Sequence, residues 1–149
     1  MIAGVELHPL GVRGDARGAV LHMLRADAPG FDRFGEIYFS EINAGVVKAW
    51  KRHLRTTQRI AVPAGRVRFV LVDDRSESTT RGAIVEHELG RPDAYALLVI
   101  PPLVWYGWKC LSAAPALVAN CPNQPHDPAE QEHASEPALS IGGLAEYRW

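Results

Sequence analysis

The chain has 149 residues, of which 47% are hydrophobic and 22% charged, and its formal net charge is −1 at pH 7. That length suits one domain burying its own core, and the balanced charge gives no general attraction to nucleic acid or to a membrane surface. No apolar run approaches the ~20 residues that span a bilayer. The first residues lack the basic-then-apolar pattern of a signal peptide, and Cys110 and Cys121 lack CxxC spacing, so a cytoplasmic setting with both thiols as small buried hydrophobes is expected.

In chain order, residues 34–43 (Phe-Gly-Glu-Ile-Tyr-Phe-Ser-Glu-Ile-Asn) are aromatic and β-branched and read as a strand. Residues 46–53 form a second, entered through Gly45, and residues 59–62 a third that stops at the turn Pro63-Ala64-Gly65. Residues 66–73 carry the clearest period-2 pattern, with Val67, Phe69, Leu71 and Asp73 on one face and Arg66, Arg68, Val70 and Val72 on the other. Residues 84–89 alternate up to Gly90. The apolar run 95–100 ends at Pro101-Pro102, and residues 103–109 and 116–121 give two more strands. Many short strands divided by Gly and Pro, with no apolar stripe of helical period, predict an all-β sandwich or barrel. After Cys121 the chain turns acidic and is interrupted by Pro122, Pro125, Pro128 and Pro137. It reads as a loop or arm over the barrel, with a helical turn at 128–131 and an extended end packed by Tyr147 and Trp149.

Several segments, kept in order, carry a resemblance. They are Asp15-Ala16-Arg17-Gly18, then residues 45–53 (Gly-Val-Val-Lys-Ala-Trp-Lys-Arg-His), then Gly65-Arg66-Val67 followed by Val70-Leu71-Val72-Asp73-Asp74-Arg75. Ile100-Pro101-Pro102 with Tyr106-Gly107-Trp108, and Leu117-Val118-Ala119-Asn120-Cys121 with the segment after it, complete the set. Together, over residues 15–132, they resemble the dTDP-4-dehydrorhamnose 3,5-epimerase family. The resemblance implies a cupin: a jelly-roll β-barrel (double-stranded β-helix) in one domain, 1–149, with the barrel at about 15–121 and the arm at 122–149. It also implies a homodimer.

The family's reaction moves protons on carbons next to the C4 carbonyl of a 4-keto-6-deoxy sugar nucleotide. A base removes a proton, a cation steadies the enolate oxygen, and an acid protonates the opposite face. The resemblance implies a His base with an Asp partner, an enolate-side Lys, a Tyr acid, and Arg ligands for the diphosphate. Here the base position holds Lys51 and the enolate-Lys position holds Gln58, with Arg59 beside it. The Tyr position falls near His126, Tyr106 stands where the family has His, and no Asp matches the partner of the base. By strand alternation His53 shares a face with Lys51 and Ala49. The candidate catalytic residues are therefore Lys51, His53, His126 and Tyr106. Arg17, Lys48, Gln58, Arg59 and Trp108 are the candidate substrate ligands. Arg17 and Lys48 suit phosphate oxygens. Asp73 and Arg75 suit a fixed turn as well as a site, and Trp50, Trp105 and Trp108 suit core packing as well as stacking on a sugar or base.

The motifs assemble no set of three or four converging ligands, so no metal and no cofactor is expected. The expected partner is a nucleotide-linked sugar. Three readings stay open: an epimerase or isomerase with altered acid and base groups, another reaction on a small carbonyl compound (dehydration, cyclisation or isomerisation), and a non-catalytic binder of the sugar nucleotide.

Overall fold

The structure is a computed structural model that describes residues 1–134 and 147–149. Its strands are β1 (Glu6–Pro9), β2 (Val12–Asp15), β3 (Gly18–Leu21), β4 (Tyr38–Ile42), β5 (Val47–His53), β6 (Gln58–Ala64), β7 (Arg66–Asp73), β8 (Ile84–Gly90), β9 (Ala96–Ile100), β10 (Val104–Cys110), β11 (Ala116–Asn120) and β12 (Gln131–His133). Two antiparallel sheets result, in the order β1-β9-β6-β11-β4 and β12-β5-β10-β7-β8, and β2 and β3 make a separate hairpin. This is the all-β sandwich expected from the strand pattern and the jelly roll implied by the resemblance. The expected turn of helix is a 3-10 turn at Pro128–Glu130. Residues 135–146 of the expected arm lie outside the described residues. Among the described residues, no helix is long and apolar enough to cross a membrane.

The alternation on β7 sets the layers. Val67, Phe69 and Leu71 point between the sheets and join Ile60 and Val62 of β6, Leu98 and Ile100 of β9 and Val118 of β11. Each such buried side chain contributes about 2 kcal/mol of transfer free energy. Val70 and Val72 point the other way, into a second cluster with Trp50 and Trp105 that Ala134, Tyr147 and Trp149 cover. Trp50 and Trp105 are thus packing residues. Gly65, at φ +80, makes the turn from β6 to β7. β6 runs through Pro63 to Ala64 rather than ending before it, so the turn is shorter than its Pro suggested.

One irregularity positions the site. Tyr106 of β10 faces Lys51, but Trp108, two residues on, faces Lys48, three residues back. β5 therefore carries one extra residue, a bulge that re-aims the side chains around it. Tyr106 also faces Leu71, and Trp108 faces Phe69, both interior residues. Residues directly opposite in a ladder share a face, so Lys51 and Lys48 lie on the same face of β5, Lys51 half-buried and Lys48 exposed. Simple alternation pairs Lys51 with Ala49; the bulge replaces Ala49 with Lys48. Gly107 sits opposite the bulge, where a Cβ would come within 2.5 Å of the Ala49 Cβ.

Candidate active site

A cavity of about 400 Å³ opens between the sheets, and its walls include Tyr38, Lys51, His53, Gln58, His126 and Glu130. Tyr38 and Gln58 come from β4 and β6 of the first sheet, and Lys51 and His53 from β5 of the second. His126 and Glu130 come from the segment after β11. Asp127 caps the 3-10 turn by accepting a bond from the Ala129 amide, which turns Glu130 inward to 4% exposure.

Glu130 is the organising carboxylate. Its Oε1 accepts the amides of Arg55 at 2.5 Å and Thr56 at 2.6 Å, and its Oε2 lies 2.8 Å from His53 Nδ1. Burial alone would raise its pKa, but these hydrogen bonds outweigh burial and hold it below the usual range, as a carboxylate. An ionised carboxylate can only accept, so the acceptor assigns the His53 proton to Nδ1 and the lone pair to Nε2. Nε2 is buried and has no hydrogen-bond partner among the described residues. Burial lowers the His53 pKa below its ordinary 6.5 and the Glu130 bond only partly restores it, so the ring is neutral at neutral pH.

Lys51 lies over an aromatic floor. Its Nζ is 5.4 Å from the Tyr106 ring centroid and 5.0 Å from that of Trp108. His53, Tyr106 and Trp108 stack in series, at 6.2 Å and 5.8 Å. Burial first, and the nearby Lys48 second, bring the Lys51 pKa down to about 8. The ring faces favour the cation, and with a pKa near 8 about nine in ten molecules carry the proton at pH 7. The Tyr106 hydroxyl is buried without a partner, and burial pushes its pKa well up.

Gln58 accepts a bond from Asn120 Nδ2 at 2.6 Å, and its own Nε2 is unpartnered. The same Asn120 nitrogen reaches the Tyr38 hydroxyl at 2.7 Å. Three further residues singled out in the sequence lie around this cavity rather than on its walls. Lys48 and Trp108 border an adjoining cavity of about 310 Å³ that shares Lys51, and Lys48 Nζ ties the sheets together through Ser40 Oγ and the Glu41 carbonyl. Tyr106 supplies the floor.

The structure does not bring Arg59 or Arg17 to the cavity. Arg59 is 2% exposed and donates to the Gly30 carbonyl and to Asp32 Oδ1, so it pins the 30–32 segment from behind. The Arg17 side chain, 90% exposed, is bound to Asp15 in the β2–β3 turn. Sequence reasoning missed Glu130 and Tyr38. Asp127-Pro128 was the available signal for Glu130, because a capping Asp before Pro starts a helical turn. Among the described residues, no three His, Cys, Asp or Glu side chains converge as a metal site.

No protein-family model matches the chain. The "Probable low-salt glycan biosynthesis epimerase Agl13" of Haloferax volcanii is 32% identical over 128 residues, covering 85% of this chain and 81% of the relative. The spore coat polysaccharide biosynthesis protein SpsL of Bacillus subtilis is 28% identical over 137 residues, covering 92% and 90%. The crystal structure of a dTDP sugar isomerase from Desulfovibrio desulfuricans G20 matches with a TM-score of 0.93 and 48% identity, over 99% of this chain and 94% of that one. Jelly roll, ordered motifs and relatives agree: the chain belongs to the dTDP-4-dehydrorhamnose 3,5-epimerase family of cupins.

Proposed function

We propose that this protein is a nucleotide-sugar epimerase or isomerase that moves a proton on a carbon next to the C4 carbonyl of a 4-keto-6-deoxy sugar nucleotide. The observation that carries the proposal is the His53–Glu130 pair facing the same cavity as Lys51. His53, neutral and backed by a carboxylate, is the base. It takes the carbon-bound proton on Nε2, and the electron pair moves onto the carbonyl oxygen. Lys51 is the cation beside that oxygen. This takes the base role from Lys51, to which position alone assigned it, because a mostly protonated ammonium stabilises an enolate better than it removes a proton.

The relatives support the reading: one named an epimerase and one a dTDP sugar isomerase. The dTDP-linked substrate comes to this chain from the second. The proposal includes a homodimer. Edge strand β4 leaves Phe39 exposed, with Phe34 and Ile37 also exposed just before it, an apolar strip suited to cover by a second copy. The test is incubation of the protein with dTDP-4-keto-6-deoxyglucose in D₂O, followed by NMR. Deuterium is expected at C3 or C5. Binding of dTDP with no exchange would make the protein a binder and contradict the proposal.

A further inference from the structure

We propose that Tyr38 is the proton donor on the face of the sugar opposite His53; this rests on the reaction proposed above. The cavity lies between two sheets, and the base sits on only one of them. His53 and Lys51 stand on β5 of the second sheet, Tyr38 on β4 of the first, and all three line the cavity. A substrate carbon held between these walls meets the base on one side and the Tyr38 hydroxyl on the other.

Hydrogen bonding leaves that hydroxyl with its proton to give. Asn120 is fixed by its Oδ1, which accepts the Arg59 amide at 3.1 Å. Its Nδ2 donates to Gln58 Oε1 at 2.6 Å and to the Tyr38 oxygen at 2.7 Å, so both amide hydrogens are spent. Tyr38 is therefore an acceptor in this bond, and its own O–H is not consumed by Asn120. Burial raises the phenol pKa above its ordinary 10, with the Asn120 bond opposing in part, so the hydroxyl stays protonated at neutral pH. Two rival donors are placed less well. Tyr106 lies on the same sheet as the base. Gln58, on the first sheet, has no proton of suitable acidity.

The step balances. His53 removes the carbon-bound proton and the C–H electron pair passes to the carbonyl oxygen beside Lys51. The enolate then re-forms its C=O while the carbon takes the Tyr38 proton on the opposite face. The O–H bond breaks to leave a phenolate. Water returns a proton to Tyr38 and accepts the one on His53. The result is an inverted carbon and an unchanged enzyme.

The experiment compares the wild-type protein and Tyr38→Phe on dTDP-4-keto-6-deoxyglucose in D₂O, resolving deuterium uptake from inversion by NMR. The wild type is expected to do both. Tyr38→Phe is expected to keep uptake with retention, because His53 can return a solvent deuteron to the face it came from, while inversion falls about a hundredfold or more. Inversion by Tyr38→Phe at the wild-type rate overturns the assignment. So does an equal fall in uptake and inversion, the mark of a merely structural role. Should Tyr38→Phe fail to fold, 3-fluorotyrosine at position 38 decides. The more acidic phenol is expected to make the ratio of inversion to uptake fall at lower pH than in the wild type, a ratio from which the Lys51 titration cancels, and an unmoved ratio overturns the assignment. A wild type that neither exchanges nor inverts overturns the reaction itself, an outcome distinct from failure of Tyr38 alone.

Discussion

Two carboxylates fold their surroundings in the same manner and end differently. Asp73 closes β7 fully buried and accepts from Arg75 Nε and Nη2 at 2.8 Å each, Ser78 Oγ at 2.5 Å and Thr80 Oγ1 at 2.6 Å. The Arg75 contact above all holds its carboxyl far below the usual range. The donors there come from the turn that follows, with Arg75 Nη2 also reaching the Ala3 carbonyl, and Asp73 is absent from the cavity wall. Glu130 accepts two amides and one side chain, but that side chain is His53, whose far nitrogen has no partner among the described residues. One network closes on itself. The other ends in a lone pair beside an opening. Buried carboxylates and perturbed pKa values occur in both places, so neither marks function by itself; the unspent valence does.

Three substitutions probe this contrast. His53→Gln removes the base and is expected to lower kcat by about a thousandfold, some 4 kcal/mol of barrier, with little change in melting temperature. Steady-state kinetics beside a thermal melt checks both halves. Asp73→Asn is expected to do the reverse, losing about 3 kcal/mol of stability in urea unfolding while folded molecules keep wild-type kcat. The sign follows from its depressed folded pKa: the stabilisation is complete above the unfolded carboxyl's titration and is lost as pH falls. Asp73→Asn should therefore flatten the acid side of the stability curve. Glu130→Gln keeps an acceptor for the Arg55 and Thr56 amides but turns an N–H toward His53, which forces the imidazole proton onto Nε2. A kcat loss of about a hundredfold is expected, with KM nearly unchanged. An unchanged kcat would place Glu130 with Asp73 as a structural carboxylate.

Much of this was legible in the sequence, for physical reasons. Period-2 alternation in β7 and the apolar run of β9 come from burial on sheet faces, which composition records directly. Lys51 is legible through its place at the family's base position, and His53 through its alternation with Lys51 on one strand. The β2–β3 hairpin was missed because its four-residue strands are almost wholly exposed and carry no apolar pattern. The bulge in β5 was invisible because it exists only in the register with β10. It is what substitutes Lys48 for Ala49 beside Lys51. Glu130 joins His53 across 77 residues through a loop rich in proline, a contact that local pattern cannot encode. Tyr38 was read only as one aromatic of a strand. Arg59, a candidate ligand because it stands beside the family's enolate-Lys position, is spent on Gly30 and Asp32, a bond made by a segment without regular structure.

The central claim is the division of labour between His53 and Lys51, and the pH dependence of deuterium uptake by the wild-type protein tests it most directly. His53 must be neutral, so the rate should fall on the acid side, through a pKa below 6.5. Lys51 must be charged, so the rate should fall again on the alkaline side, near pH 8. A bell between these limbs, with the alkaline limb moved upward in Lys51→Arg, is the predicted result. A rate that climbs through pH 8 would make neutral Lys51 the base and contradict the account.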